Sequence, residues 1–340
     1  MRRLRRNFRK NQSKIILTTA FALVFCLCVG YAAFQTVINF NVKGNIKKKL
    51  LTPRDLAKNV VTTGDGLYAD TTEAGRYIYR GASPDNYIKL GDDMYRIIAV
   101  ESDNTLKIIK NGSIGRKEFD YTTDRDSTIS TDYCTSTHGC NVWGSKTTML
   151  DTNGNNVIQM PKEVNGTLYN LPDKEATLNT YLNNDWYNLL DNNIKSKIET
   201  HLFNVGGINT DEIILAITIS EEAAYKWRGK IGLMNPSDYV KASINSACTS
   251  VNSYYNNKSC YDNSETHNWI YAGPAARNYS WTIASAFNTS ADGVVDVIYG
   301  GSFDANGTGL TVGVAPVFYL SSDIILTGSG TESDPYILKE

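Results

Sequence analysis

The stretch Tyr87-Ile88-Lys89-Leu90-Gly91-Asp92-Asp93-Met94-Tyr95-Arg96-Ile97-Ile98-Ala99-Val100 decides the fold class. Residues 87–90 and 94–100 are rich in Ile, Tyr and Val and bracket a Gly-Asp-Asp turn, the pattern of a β-hairpin. After the turn Ser102-Asp103-Asn104, residues 105–110 (TLKIIK) alternate and extend the pair into a meander. Further along, the period changes. Leu178, Tyr181, Leu182, Trp186, Leu189 and Leu190 recur at steps of three and four, which predicts a helix over 177–190 with one apolar face. Asp191 is placed to cap a second short helix carrying Ile194, Ile198 and Leu202, with His201 at its end and Gly206-Gly207 stopping it. Residues 211–219 (DEIILAITI) read as a central strand, and Ser220 as the cap of one helical turn through Tyr225. Strands are expected at 268–271, 280–285, 294–299, 311–320 and 323–326. Strands at both ends with helices between them predict an α+β domain.

The N-terminal end has a different character. Seven basic side chains and no acid lie within residues 1–14, and residues 15–34 (IILTTAFALVFCLCVGYAAF) carry no charge. Twenty residues at about 1.5 Å each make one bilayer-spanning helix. The basic flank predicts a cytoplasmic amino terminus and an extracellular remainder. The length of the apolar run favours a retained anchor; Gly30-Tyr31-Ala32 also offers a small-x-small site, so cleavage near Ala32 and secretion is the alternative. The expected organisation is a basic tail at 1–14, a transmembrane helix at 15–34, a linker at 35–64 and an extracellular domain at 65–340. Beyond the span, 27 basic side chains face 35 acidic ones, a net charge of −8 that argues against nucleic-acid binding.

Four cysteines follow the span: Cys134, Cys140, Cys248 and Cys260. An even number in an exported domain implies disulfides, and the short separations favour Cys134–Cys140 and Cys248–Cys260. C-x-x-C spacing is absent among them and the chain holds three His, so no metal site is expected. No nucleophile elbow or phosphate loop occurs, and no cofactor is implied. The loop Asp151-Thr152-Asn153-Gly154-Asn155-Asn156 is oxygen-rich enough for calcium, but its Asn-Gly pair reads first as a type I′ hairpin turn. The 21 Tyr and five Trp are the most suggestive feature, because rings beside Asn and Asp make sugar- or protein-binding surfaces. Tyr254, Tyr255, Tyr261, Trp269, Tyr271, Asn278, Asp292 and Asp296 all lie in the loop-rich 248–309 stretch, the expected ligand face.

Several motifs resemble a set of uncharacterised, membrane-anchored surface domains of low-GC Gram-positive and gut bacteria. They include Asp65-Gly66-Leu67-Tyr68, Tyr77-Ile78-Tyr79-Arg80-Gly81-Ala82, Trp227-Arg228-Gly229-Lys230-Ile231-Gly232-Leu233-Met234, Pro236-Ser237-Asp238-Tyr239, Asn268-Trp269-Ile270-Tyr271 and Val314-Ala315-Pro316-Val317-Phe318-Tyr319-Leu320. The string Tyr31-Ala32-Ala33-Phe34 also resembles the signal ends of camelysin and related biofilm-matrix proteins. The order of early hairpin, helix, loop-rich middle and late Trp strand followed by Gly-Val-x-Pro is similar to the C-type-lectin-like fold shared with the formylglycine-generating enzyme. That enzyme's redox cysteine pair is not matched here, so the resemblance implies the fold and not the activity. The expected function is therefore a non-enzymatic cell-surface binding module for a glycan or protein, with a structural surface or matrix protein as the alternative.

Overall fold

The computed structural model describes Val24 and residues 49–121, 139–159, 170–209, 215–249, 258–275, 279–286, 293–298 and 301–339. The expected span at 15–34 therefore lies outside the described residues, Val24 apart; among the described residues no helix is long and apolar enough to cross a membrane. The chain forms two units, residues 1–48 and 49–340. The second is a mixed α+β unit with short helices and curled, mainly antiparallel sheets. It begins earlier than the expected boundary at Asp65. Leu51 and Leu56 are buried, and Leu51 exchanges both backbone hydrogen bonds with Leu326.

The expected meander is the centre of the main sheet. Its first five strands are β1 (Gly66–Ala69), β2 (Tyr77–Arg80), β3 (Tyr87–Leu90), β4 (Asp93–Val100) and β5 (Leu106–Lys110). The β3–β4 hairpin pairs Leu90 with Asp93, leaving Gly91-Asp92 as a two-residue loop. Gly91 sits at φ 60°, as the first loop position of a type II′ turn requires. Asp103 closes the next turn by accepting from both the backbone N–H and the hydroxyl of Thr105. The Val317–Leu320 strand lies against β5, and Tyr336–Leu338 runs parallel to β3. Elements cover both faces of β4 and β5: every residue from Tyr95 to Val100 and from Leu106 to Ile109 is buried. Lys107 is thus a charge inside the fold, and its partners define the site below.

A second sheet runs in the order Phe303–Gly307, Gly293–Val297, Ser280–Ser285, Val312–Gly313, Arg116–Lys117. The third contains Met149–Leu150, Lys226–Gly229 and His201–Asn204. The expected 311–320 strand is split between two sheets. Val312–Gly313 joins the second and Val317–Leu320 the first, with Pro316 between them, where a residue without an N–H cannot continue a ladder.

The expected 177–190 helix forms as three consecutive pieces, Thr177–Tyr181, a π-helical Leu182–Trp186 and Tyr187–Leu189. Leu178, Leu182, Trp186 and Leu190 are buried, whereas Leu189 is exposed. Asp191 precedes the Asn192–Lys197 helix, which ends before His201; His201 instead opens a strand. Three strand expectations are corrected. The one at 323–326 shrinks to Leu326–Thr327 behind a turn. Within 211–219 the described part begins the Leu215–Ala223 helix, which Ser220 sits inside rather than caps. Thr218 and Glu222, four residues apart, form its buried face, while Ile217 is exposed. Helix formers Ala223, Glu221 and Glu222 outweigh the β-branched run before them. Residues 268–271 also turn helical. The Asn268 side chain accepts from Ile270 N–H and starts the Trp269–Ala272 turn.

Candidate functional site

Lys107 extends from β5 toward the Pro236–Lys241 helix and meets Asp238 at 2.6 Å and Asn235 Oδ1 at 3.2 Å. Pro at the first helical position and Asp238 three residues after Asn235 fix where this helix starts. Asp238 Oδ1 accepts from Arg76 at 2.9 Å, and the same guanidinium reaches Asp70 at 2.7 Å and Glu101 at 2.8 Å. Lys241 completes the cluster on Asp70 at 2.8 Å and the Thr72 hydroxyl at 2.7 Å. Three cations and three carboxylates thus interlock, nearly all of them buried. Burial pushes the Asp238 carboxyl up, but the adjacent Lys107 and Arg76 outweigh it and hold it at about 2. Asp70 is likewise held below the usual carboxylate range: burial opposes ionisation, and Lys241 overcomes it.

This network forms one wall of a polar cleft of about 230 Å³. The remaining walls come from His201, Leu202 and Asn204 of one strand, Lys226 of its neighbour, Ile219 of the Leu215–Ala223 helix, and Tyr319. The His201 ring stacks on Tyr319 at 3.8 Å and 11°. Its Nε2 lies 3.2 Å from Asp103 at the β4–β5 turn. Lys226 pairs across the strands with Asn204, and its Nζ donates to Asn204 Oδ1. Behind the wall, Glu222 accepts from Ser237 N–H at 2.9 Å and from the Ser237 hydroxyl at 2.5 Å. Burial raises the Glu222 carboxyl to about 7 against those hydrogen bonds. One carboxyl thus takes both donors of a first-turn residue and closes the helix start.

Of the expected ligand face, Tyr261, Trp269, Tyr271 and Asp296 fall among the described residues. Tyr254, Tyr255, Asn278 and Asp292 lie outside the described residues. Trp269 and Tyr271 are buried, and Trp269 Nε1 donates to the Tyr79 carbonyl while Arg96 lies over its ring at 4.7 Å. Asp296 is fully buried in the second sheet, where Asn306 donates to Oδ1 at 2.9 Å and burial lifts the carboxyl to about 7. Tyr261 is half-buried at the end of a short helix. Trp269 and Tyr271 pack the interior from the Trp269–Ala272 turn that the Asn268 side chain caps. Cys248 and Cys260 form the expected disulfide. Cys140 is buried and disulfide-bonded, and Cys134 lies outside the described residues.

Sequence reasoning missed the residues that line the cleft. Lys107 stood at a core position of TLKIIK, a detectable signal; Arg76 and Lys226 carried none. Among the described residues no group of three or more His, Cys, Asp or Glu could hold a metal ion. The Asp151 carboxylate of the oxygen-rich loop is taken up by Asn153 and Asn155 N–H groups. Asn153 lacks the positive φ of a type I′ turn. A broader groove of about 460 Å³ opens between Lys117, Tyr121, Tyr181 and Asp185, with Lys117 lying over the Tyr181 ring at 3.8 Å. No protein-family model, curated protein or solved structure matches the chain.

Proposed function

We propose that the chain is a surface-displayed binding module, anchored through residues 15–34 and carrying an extracellular, C-type-lectin-like domain that takes a glycan in the polar cleft. The uncharged span behind a basic tail and the disulfide Cys248–Cys260 support export. The observation that carries the ligand reading is the cleft's composition. Carboxylates, ammonium and amide groups of fixed orientation stand beside a stacked aromatic pair. Hydroxyl-rich rings need donors and acceptors on their edges and a flat surface on a face; the polar walls offer the first two and the partly exposed His201 ring the third. The interlocked ion pairs hold these groups in place, so little side-chain freedom is lost on binding. At about 230 Å³ the cleft suits one saccharide unit, below the ~300–1,000 Å³ typical of drug-sized sites.

The test is a glycan array probed with the full-length protein in mild detergent. Saturable binding to a subset of glycans, reduced by His201→Ala, is expected. A blank array, or binding that His201→Ala and Lys226→Ala leave unchanged, overturns the reading.

A further inference from the structure

Among the described residues, one cation of the cleft has no carboxylate within ion-pair distance. Arg76, Lys107 and Lys241 are each within 2.9 Å of a carboxylate, and Asp70, Glu101 and Asp238 are the partners. Lys226 differs. Among the described residues no carboxylate comes within ion-pair distance of it, and its only hydrogen-bond partner is the Asn204 side-chain oxygen. It is half-buried on a strand whose other neighbours are fixed by pairing. Burial pulls its ammonium below the usual lysine range, against the opposing pull of Glu73 and Glu222. Glu73 stands at the rim, more than half exposed and 3.9 Å from Arg76, where water screens it. An unpaired ammonium in a partly desolvated cleft is costly unless an anion arrives.

Asn204 shows where the anion would sit. Its oxygen faces Lys226, so the lysine donor fixes the amide's orientation. The Asn204 side-chain N–H₂ has no hydrogen-bond partner among the described residues, and Asn204 lines the cleft together with Lys226. An ammonium and an amide N–H₂ side by side form a donor pair for the two oxygens of a carboxylate. We infer that the glycan taken by the cleft is acidic: a sugar carboxylate, as in a uronate or sialate unit, is seated on Lys226 Nζ and Asn204 Nδ2. The inference rests on the cleft being the glycan site of the proposed function. The partly exposed His201 ring, backed by the buried Tyr319, then meets the sugar ring while Lys226 reads the charge.

The experiment uses the full-length protein and pairs of probes that differ by one group: uronate- and sialate-bearing oligosaccharides and their carboxyl-reduced counterparts, titrated by calorimetry. The acidic member of at least one pair is expected to bind about tenfold more tightly, the scale of one charge-assisted hydrogen bond. Lys226→Gln should bring it to the level of the reduced member without lowering the melting temperature, and Lys226→Arg should keep most of the preference. Raising NaCl from about 50 to about 300 mM should weaken the acidic member selectively. Equal binding within every pair, or an acid preference that survives Lys226→Gln, overturns the inference while leaving the glycan reading in place. Absence of binding to both members of all pairs overturns the inference; the array separately decides whether the glycan reading falls with it.

Discussion

Replacing Asp238 with Asn probes the device that shapes the cleft. The carboxylate is buried, accepts from Arg76 at 2.9 Å and pairs with Lys107 at 2.6 Å. After substitution Arg76 retains Asp70 at 2.7 Å and Glu101 at 2.8 Å, so its charge stays compensated. Lys107 keeps amide oxygens as acceptors, Asn235 at 3.2 Å among them, but the buried ammonium loses its carboxylate partner and retains only the more distant pull of Glu101. Breaking a buried pair from one side costs about 3–5 kcal/mol, a large share of the ~5–15 kcal/mol that holds a typical domain folded. Urea denaturation followed by tryptophan fluorescence should show this loss. Lys107→Met combined with Asp238→Asn should be more stable than Asp238→Asn alone, because the orphaned charge is gone. The wild-type carboxyl, held at about 2 against a usual 3.8, also sets a pH window. A depressed carboxyl stabilises the fold above its unfolded value, so that stability drains as pH falls from about 4 to about 2, and Asp238→Asn should lack this drain. A loss below about 0.5 kcal/mol for Asp238→Asn, the scale of an ordinary surface change, would refute the reasoning.

Glu222, raised to about 7, has the opposite sign: the folded state holds a proton that the unfolded chain releases, so stability falls as pH rises from about 4.5 to about 7. That amounts to about 3 kcal/mol, and Glu222→Gln should flatten this part of the stability–pH curve, measured by chemical denaturation at each pH. Phe318 is fully buried, edge-on to Tyr95 at 5.3 Å and near Trp186 at 6.3 Å, so Phe318→Ala should cost about 3–5 kcal/mol in the same assay. Removing the Cys248–Cys260 bridge, which closes a loop over a separation of 12, should lower stability by about 2–3 kcal/mol in a non-reducing melt against the Ser/Ser variant.

The meander and the first long helix were legible because their signals are local. Residues 87–110 alternate around two turn motifs, and 177–190 repeats at helical spacing, so period and turn chemistry suffice. Residues 215–223 misled because Ile217 and its β-branched neighbours read as core, whereas the buried face is set by Thr218 and Glu222. Burial of a carboxyl is decided by Ser237, distant in sequence, which no local window contains. The same limit hid the cleft. Arg76, Lys107 and Asp238 come together over separations of 131 and 162 residues; Lys107 stands out at a core position of its strand, but nothing in its own segment names its partners. Two of the aromatic residues were overvalued for the complementary reason. Trp269 and Tyr271 stand beside Asn and polar loops in sequence, but the fold turns them inward.

The most direct measurement is hydrogen–deuterium exchange of the full-length protein with and without the tightest glycan from the array. Ligand in the cleft should protect backbone amides at 201–204, 226–229 and 235–241, and Lys226→Gln should abolish the protection for an acidic glycan. Protection confined to 117–121 and 177–185, around the Tyr121–Tyr181 groove, with the cleft amides unchanged, would contradict the assignment of the cleft as the ligand site.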